Sequence, residues 1–144
     1  MADLLSHLEK YGVKAALENL LPGSISADLG ELVSNVNEIN HPQIGVCLDT
    51  GHLNVMKGRP ADAVRAIGTK LFALHVHDNK GQGDQHQPPF EGNADWSGFV
   101  KALEEVGYMG TLNLEVFDQA PLEKMASVDF IRRSLDRAKS LLSS

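Results

Sequence analysis

Short apolar runs that close on an acid or a histidine recur four times along this chain, and no other feature limits its fold as much. They cover residues 13–18, 44–49, 71–77 and 111–116. Nearly continuous apolar runs of this length, bounded by turn residues, predict strands buried on both faces, as in a parallel sheet. Residues 13–18 fit least well, because Ala15 and Ala16 favour helix.

The stretches between the runs carry helical periodicity. Ser26 is placed to cap a helix carrying Leu29, Leu32, Val33, Val36 and Ile39 at three- and four-residue spacing. Pro60 suits the first turn of a helix with Ala63, Val64 and Ile67. Asp95 is placed to cap a helix presenting Phe99, Val100, Leu103 and Val106, with Gly107 ending it. A helix over residues 3–11 leads the first strand, and another runs through Phe130, Ile131, Leu135, Ala138 and Leu141. The order is therefore α-βα-βα-βα-βα. Such repeats imply right-handed crossovers and a parallel sheet covered by helices. Two α/β architectures fit: an open doubly wound sheet, or four βα units of a TIM-type barrel. A complete barrel takes about 250 residues, so 144 residues supply about half.

The strand ends favour the barrel. Glu18, Asp49, the pair His75 and His77, and Glu115 stand at the carboxyl ends of the four runs. An open sheet gathers its functional residues at one switch point, whereas every strand of a barrel opens onto the same rim. Two Glu, one Asp and one His make a shell suited to a divalent ion such as Mn²⁺, Mg²⁺, Co²⁺ or Zn²⁺. Without a cation, carboxylates this crowded repel one another. His52 follows Asp49 by one tight turn. His75 and His77, two apart in a strand, share a face, and one suffices as a ligand. Residues 79–93 predict a long loop without helix or strand, carrying Asp84 and His86, and loops of that kind are usually functional. Trp96 is expected to pack that loop down, Asp78 to cap or brace it or to hold a ligand histidine in place, Cys47 to be a core thiol and Lys80 a solvated cation.

The segments 45–52 (Gly-Val-Cys-Leu-Asp-Thr-Gly-His), 74–79 (Leu-His-Val-His-Asp-Asn), 84–86 (Asp-Gln-His), 91–96 (Glu-Gly-Asn-Ala-Asp-Trp) and 107–115 together resemble the sugar phosphate isomerase/epimerase family. This family has a xylose isomerase-like TIM barrel and is related to endonuclease IV. The likeness runs from about Gly12 to Phe117 and begins at the fifth of the family's eight strands. It implies a single-metal site of Glu18, Asp49, His75 and Glu115, with Glu18 and Glu115 also the catalytic acid/base pair. It implies substrate-binding roles for His52, His77, Asp84 and His86; in endonuclease IV the counterparts of His52, Asp84 and His86 hold an extra zinc. The family's Pro-Gly-x-Gly loop reads Pro89-Phe90-Glu91-Gly92 here, so its first glycine is replaced.

The implied activity is isomerisation or epimerisation of a sugar or sugar phosphate, by proton transfer next to a carbonyl through an enediolate. Two alternatives stand beside it: a non-catalytic metal-binding fragment that needs a partner, and a zinc phosphodiesterase like endonuclease IV. A half-barrel exposes two sheet edges, so the expectation is a single domain over 1–144 that forms a homo-oligomer or joins a missing amino-terminal half. Thirteen Lys and Arg against nineteen Asp and Glu give a net charge of −6, which offers nucleic acid no basic footprint. No run reaches the length of a membrane span and the amino terminus does not read as a signal peptide. A single cysteine fits the cytoplasm.

Overall fold

The computed structural model describes residues 2–118 and 128–143. The elements follow in the order α1 (Ala2–Tyr11), β1 (Ala15–Glu18), α2 (Leu29–Ile39), β2 (Ile44–Asp49), α3 (Thr50–Val55), α4 (Pro60–Ile67), a 3₁₀ turn (Gly68–Lys70), β3 (Leu71–His75), α5 (Phe99–Glu105) and α6 (Val128–Leu142). The strands pair in parallel in the order β1-β2-β3. Each strand lies beside its predecessor with no reversal of order, as in a barrel wall; a doubly wound sheet has a switch point. The register sets Asp49 beside His75, so β2 and β3 end level, while Glu18 stands beside Cys47, two residues short of Asp49.

The core lies between this sheet and the helices. β2 is buried at all six positions. Val36 of α2 and Val64 of α4 are fully buried on the sheet, and Phe99 and Ala102 of α5 are fully buried where α5 packs on α4. Burial of a side chain of Val or Phe size contributes about 1.5–3 kcal/mol. α1 is tied on by Leu8, which is buried and whose carbonyl accepts Gln43 Nε2 at 2.7 Å.

Four expectations need correction. β1 begins at Ala15 and is the edge of the sheet, so Ala16 and Leu17 are exposed instead of buried. The cap of α2 is Asp28, not Ser26: Asp28 Oδ1 accepts the Glu31 N–H at 2.9 Å. Asp95 does not cap α5. Gly98, at φ 71°, stands at that position, and Asp95 takes the Ser97 N–H and pairs with Arg59 at 2.9 Å. The fourth strand is reduced to one parallel bridge, Val76 to Leu114, with hydrogen bonds from Val76 N to Asn113 O (2.8 Å) and from Glu115 N to Val76 O (3.1 Å). Phe72 and Tyr108 line a cavity of about 360 Å³ between residues 72–75 and 111–113, and pairing begins only beyond it. Gly107 does end α5 as expected, at φ 69°, with Tyr108 N–H returning to Leu103 O.

Candidate functional site

Glu18, Asp49, His75 and Glu115 meet where the three strands and the bridged segment end. One donor atom from each lies within 4.8 Å of the others. His75 is central: its Nδ1 is 2.8 Å from Glu115 Oε2, 3.3 Å from Glu18 Oε1 and 3.9 Å from Asp49 Oδ2. His75 Nδ1 and Glu115 Oε2 are buried and make no hydrogen bond, even at 2.8 Å. Ligand atoms that converge on a common centre are close without being aligned on one another, and Glu/Asp/His is the donor set of a borderline divalent ion. The residues therefore fit a cation.

Asp49 is held on every side. As the cap of α3 its Oδ1 accepts the His52 N–H at 2.7 Å, and His77 Nε2 donates to Oδ2 at 3.0 Å. Burial raises the Asp49 pKa, but the bond and charge of His77 together with the His52 N–H and ring outweigh it and hold the carboxyl below its ordinary value. His77 is fully buried behind Asp49 and stacks on His86 at 4.0 Å. It faces the carboxylate, and not open space, which is the arrangement of a residue that orients a ligand.

His52, Asp84 and His86 form a second group. His52 Nδ1 donates to Asn19 O and His86 Nδ1 to Glu115 O, each at 2.9 Å. Both rings turn Nε2 toward Asp84 Oδ2, at 3.3 Å and 2.9 Å. His77, Asp84 and His86 also offer donor atoms within 4.8 Å of one another, as do Asp49, His52 and His77. Burial works against a charge on His52, but Asp49, the Asn19 carbonyl and Asp84 outweigh it and raise its pKa.

Cys47 points into the same cluster from mid-strand. Burial first, then the charges of Glu18, Asp49 and Glu115, push its thiol up to about 12. It is a core thiol and no nucleophile at neutral pH.

Sequence reasoning passed over three polar residues. Asn19 Nδ2 donates to Asp49 O (2.9 Å) and Asn19 Oδ1 accepts the Asp49 N–H (2.8 Å), so its side chain extends the β1-β2 ladder by one step. Thr50 Oγ1 donates to His77 O and accepts the His77 N–H. Asn54 Nδ2 donates to Asn79 and Asn93, tying the loop to α3. The available signal was position: Asn19 and Thr50 each directly follow a site carboxylate.

Parallel strands whose carboxyl ends gather three carboxylates and a histidine define the class: a (β/α) barrel wall with a candidate metal site. The profile of the xylose isomerase-like TIM barrel family matches residues 1–141, and the chain belongs to that family. It is 31% identical over 120 residues to D-psicose 3-epimerase of Enterocloster bolteae, covering 81% of this chain and 38% of that protein. It is 27% identical over 124 residues to inosose isomerase of Bacillus subtilis, covering 81% and 45%. A D-tagatose 3-epimerase-like crystal structure superposes with a TM-score of 0.80 at 27% identity, over 99% of this chain and 51% of that one. The chain thus spans about two fifths of the length of the curated relatives and half of the solved barrel. No helix among the described residues is long and apolar enough to cross a membrane.

Proposed function

We propose that this chain is the metal-bearing half of a sugar or sugar phosphate isomerase/epimerase, with Glu18, Asp49, His75 and Glu115 as ligands and the two glutamates as the proton-transfer pair. The observation that carries it is the four-residue cluster at the carboxyl ends of the strands. The names of its relatives, D-psicose 3-epimerase, L-ribulose 3-epimerase and inosose isomerase, belong to the same class of chemistry. A divalent ion held there supplies Lewis-acid polarisation of a substrate carbonyl and neutralises the crowded carboxylates.

The chain's own residues do the rest. Glu18 comes from β1 and Glu115 from the bridged segment beyond β3, and both touch His75. One takes the proton from the carbon beside the carbonyl, and the other returns a proton to the opposite face or to the neighbouring carbon. His77 orients Asp49 from behind. His52, Asp84 and His86 contact the substrate hydroxyls from one side. The far end of the sugar needs four further strands, from a second copy or from an amino-terminal half.

The test is deuterium incorporation next to the carbonyl of a ketohexose incubated with the Mn²⁺-loaded protein in D₂O. Incorporation that disappears in Glu115→Gln supports the assignment. Equal incorporation in both proteins overturns it. Metal binding with no incorporation in wild type leaves a non-catalytic metal-binding fragment.

One observation favours a second reading. His77, Asp84 and His86 offer donor atoms within 4.8 Å of one another, and Nδ1–H bonds to backbone carbonyls turn Nε2 of both His52 and His86 toward Asp84. A second ion at this group is the requirement of a zinc phosphodiesterase. A Zn²⁺ stoichiometry of two per chain, with one ion lost in His86→Ala, supports it; one per chain in both proteins excludes it.

A further inference from the structure

The segment that carries Glu115 is held to the sheet by a single bridge, and its second anchorage is the loop of residues 78–96. His86 provides it. Its carbonyl accepts the Phe117 N–H at 2.9 Å, its Nδ1 donates to Glu115 O at 2.9 Å, and its ring stacks on Phe117 at 4.2 Å. His86 stands at φ 47°, a left-handed conformation that a residue with a β-carbon keeps only where its surroundings impose it.

Asp78 imposes it. Its side chain is fully buried, and no Lys or Arg pairs with it among the described residues. Its two carboxyl oxygens accept four N–H groups: Asn79 N (2.8 Å) and Ala94 N (3.0 Å) on Oδ1, Phe90 N (3.1 Å) and Trp96 Nε1 (3.0 Å) on Oδ2. Its backbone exchanges two hydrogen bonds with Gln87, the neighbour of His86, at 2.7 and 2.8 Å. One residue therefore fixes both limbs of the loop. Gly92 completes the clamp, because a β-carbon there would overlap Asp78 Oδ1 and the Asn79 carbonyl. An amide in place of the carboxyl has one acceptor oxygen and leaves two buried donors facing an NH₂ group.

We propose that Asp78 is the positioning residue for Glu115, acting through the loop and His86. Its consequence for activity rests on the reading of Glu115 as a working carboxylate, but the mechanical claim is testable without substrate. The experiment is amide hydrogen exchange by NMR on the whole, metal-free chain, wild type against Asp78→Asn. The amides of Asn79, Phe90, Ala94, Glu115 and Phe117 are expected to exchange about tenfold faster or more, the opening expected when bonds to a buried carboxyl are lost, while β2 keeps its protection. Emission of Trp96, the only tryptophan, is expected to shift to the red. Added Co²⁺ should bind about tenfold more weakly, with an altered visible spectrum, as for other residues that orient a ligand.

Faster exchange in the loop with wild-type protection at Glu115 and Phe117 overturns the proposal, and so does a uniform rise that includes β2. Should Asp78→Asn not fold, Gly92→Ala crowds the same carboxyl and is expected to give the same pattern; wild-type protection at Phe117 in that variant is equally fatal. A wild-type chain that binds no Co²⁺ sinks the functional reading and leaves the exchange pattern to stand or fall separately.

Discussion

Gly51→Ala sets two effects of opposite sign against each other. Gly51 lies inside α3 with no positive φ, so helix propensity alone favours alanine by about 1 kcal/mol. A β-carbon there, however, would overlap the His77 imidazole, 2.6 Å from Nε2 and closer to Cε1 and Nδ1. The ring has no room to retreat: Nε2 is bonded to Asp49, the backbone N–H and carbonyl are both bonded to Thr50, and His86 stacks on its face. Giving up the bond to Asp49 costs about 1.5–3 kcal/mol, and the overpacking adds about 1–3 kcal/mol. The clash wins, with a net loss of about 1.5–5 kcal/mol. Urea denaturation of the chelator-treated protein at neutral pH should show the midpoint falling by roughly 1–2 M. An unchanged or higher midpoint would mean that His77 is not wedged, and the account of how Asp49 is oriented would fail with it.

Other consequences follow from the same geometry. Asp28→Ala removes the cap of α2 and should cost about 1 kcal/mol in thermal or chemical denaturation, whereas Ser26→Ala should cost almost nothing. Phe90 holds φ 68° with an exposed ring, so Phe90→Gly should be neutral or stabilising by up to about 1 kcal/mol, against the usual cost of introducing glycine. Cys47, pushed to about 12, should resist iodoacetamide at pH 8.5 in the folded protein and react on unfolding; its raised value also means that stability present below pH 9.0 is lost as pH climbs toward 12. Asp49 works in the other direction. Its depressed pKa gives stability that is present above its ordinary value of 3.8 and lost as pH falls through the folded value, readable as an acid-induced drop in melting temperature that Asp49→Asn reduces.

The strands and the site were legible in the sequence because both follow from local pattern. β2 reads as a buried strand in any context, and the acids that close each run needed only the parallel register to meet. What the sequence hid depends on partners distant in the chain. Residues 15–18 were read as buried because apolar pattern cannot tell an edge strand from an interior one. Residues 111–116 read as a full strand because nothing local announces the cavity, lined by Phe72 and Tyr108, between their first half and β3. Two helix starts differ for another reason: Asp28, whose side chain accepts the Glu31 N–H, stands two residues beyond Ser26 with the same capping chemistry, and residue type alone favours Asp95 over Gly98. The short α3 was overlooked because Asp49 was read as a ligand, when it also caps the helix that carries His52. Asp78 as a brace of the loop is legible from its place after the third run, but its four donors, spread over residues 79 to 96, are not.

The most direct test of the metal centre is native mass spectrometry of the purified protein, before and after chelation, with Mn²⁺, Co²⁺ and Zn²⁺ offered in turn. A centre made by Glu18, Asp49, His75 and Glu115 predicts at least one ion per chain, removed by chelator, retained in His86→Ala and lost in His75→Ala. A chain that takes up none of the three ions, or that holds its ion equally well without His75, would contradict it.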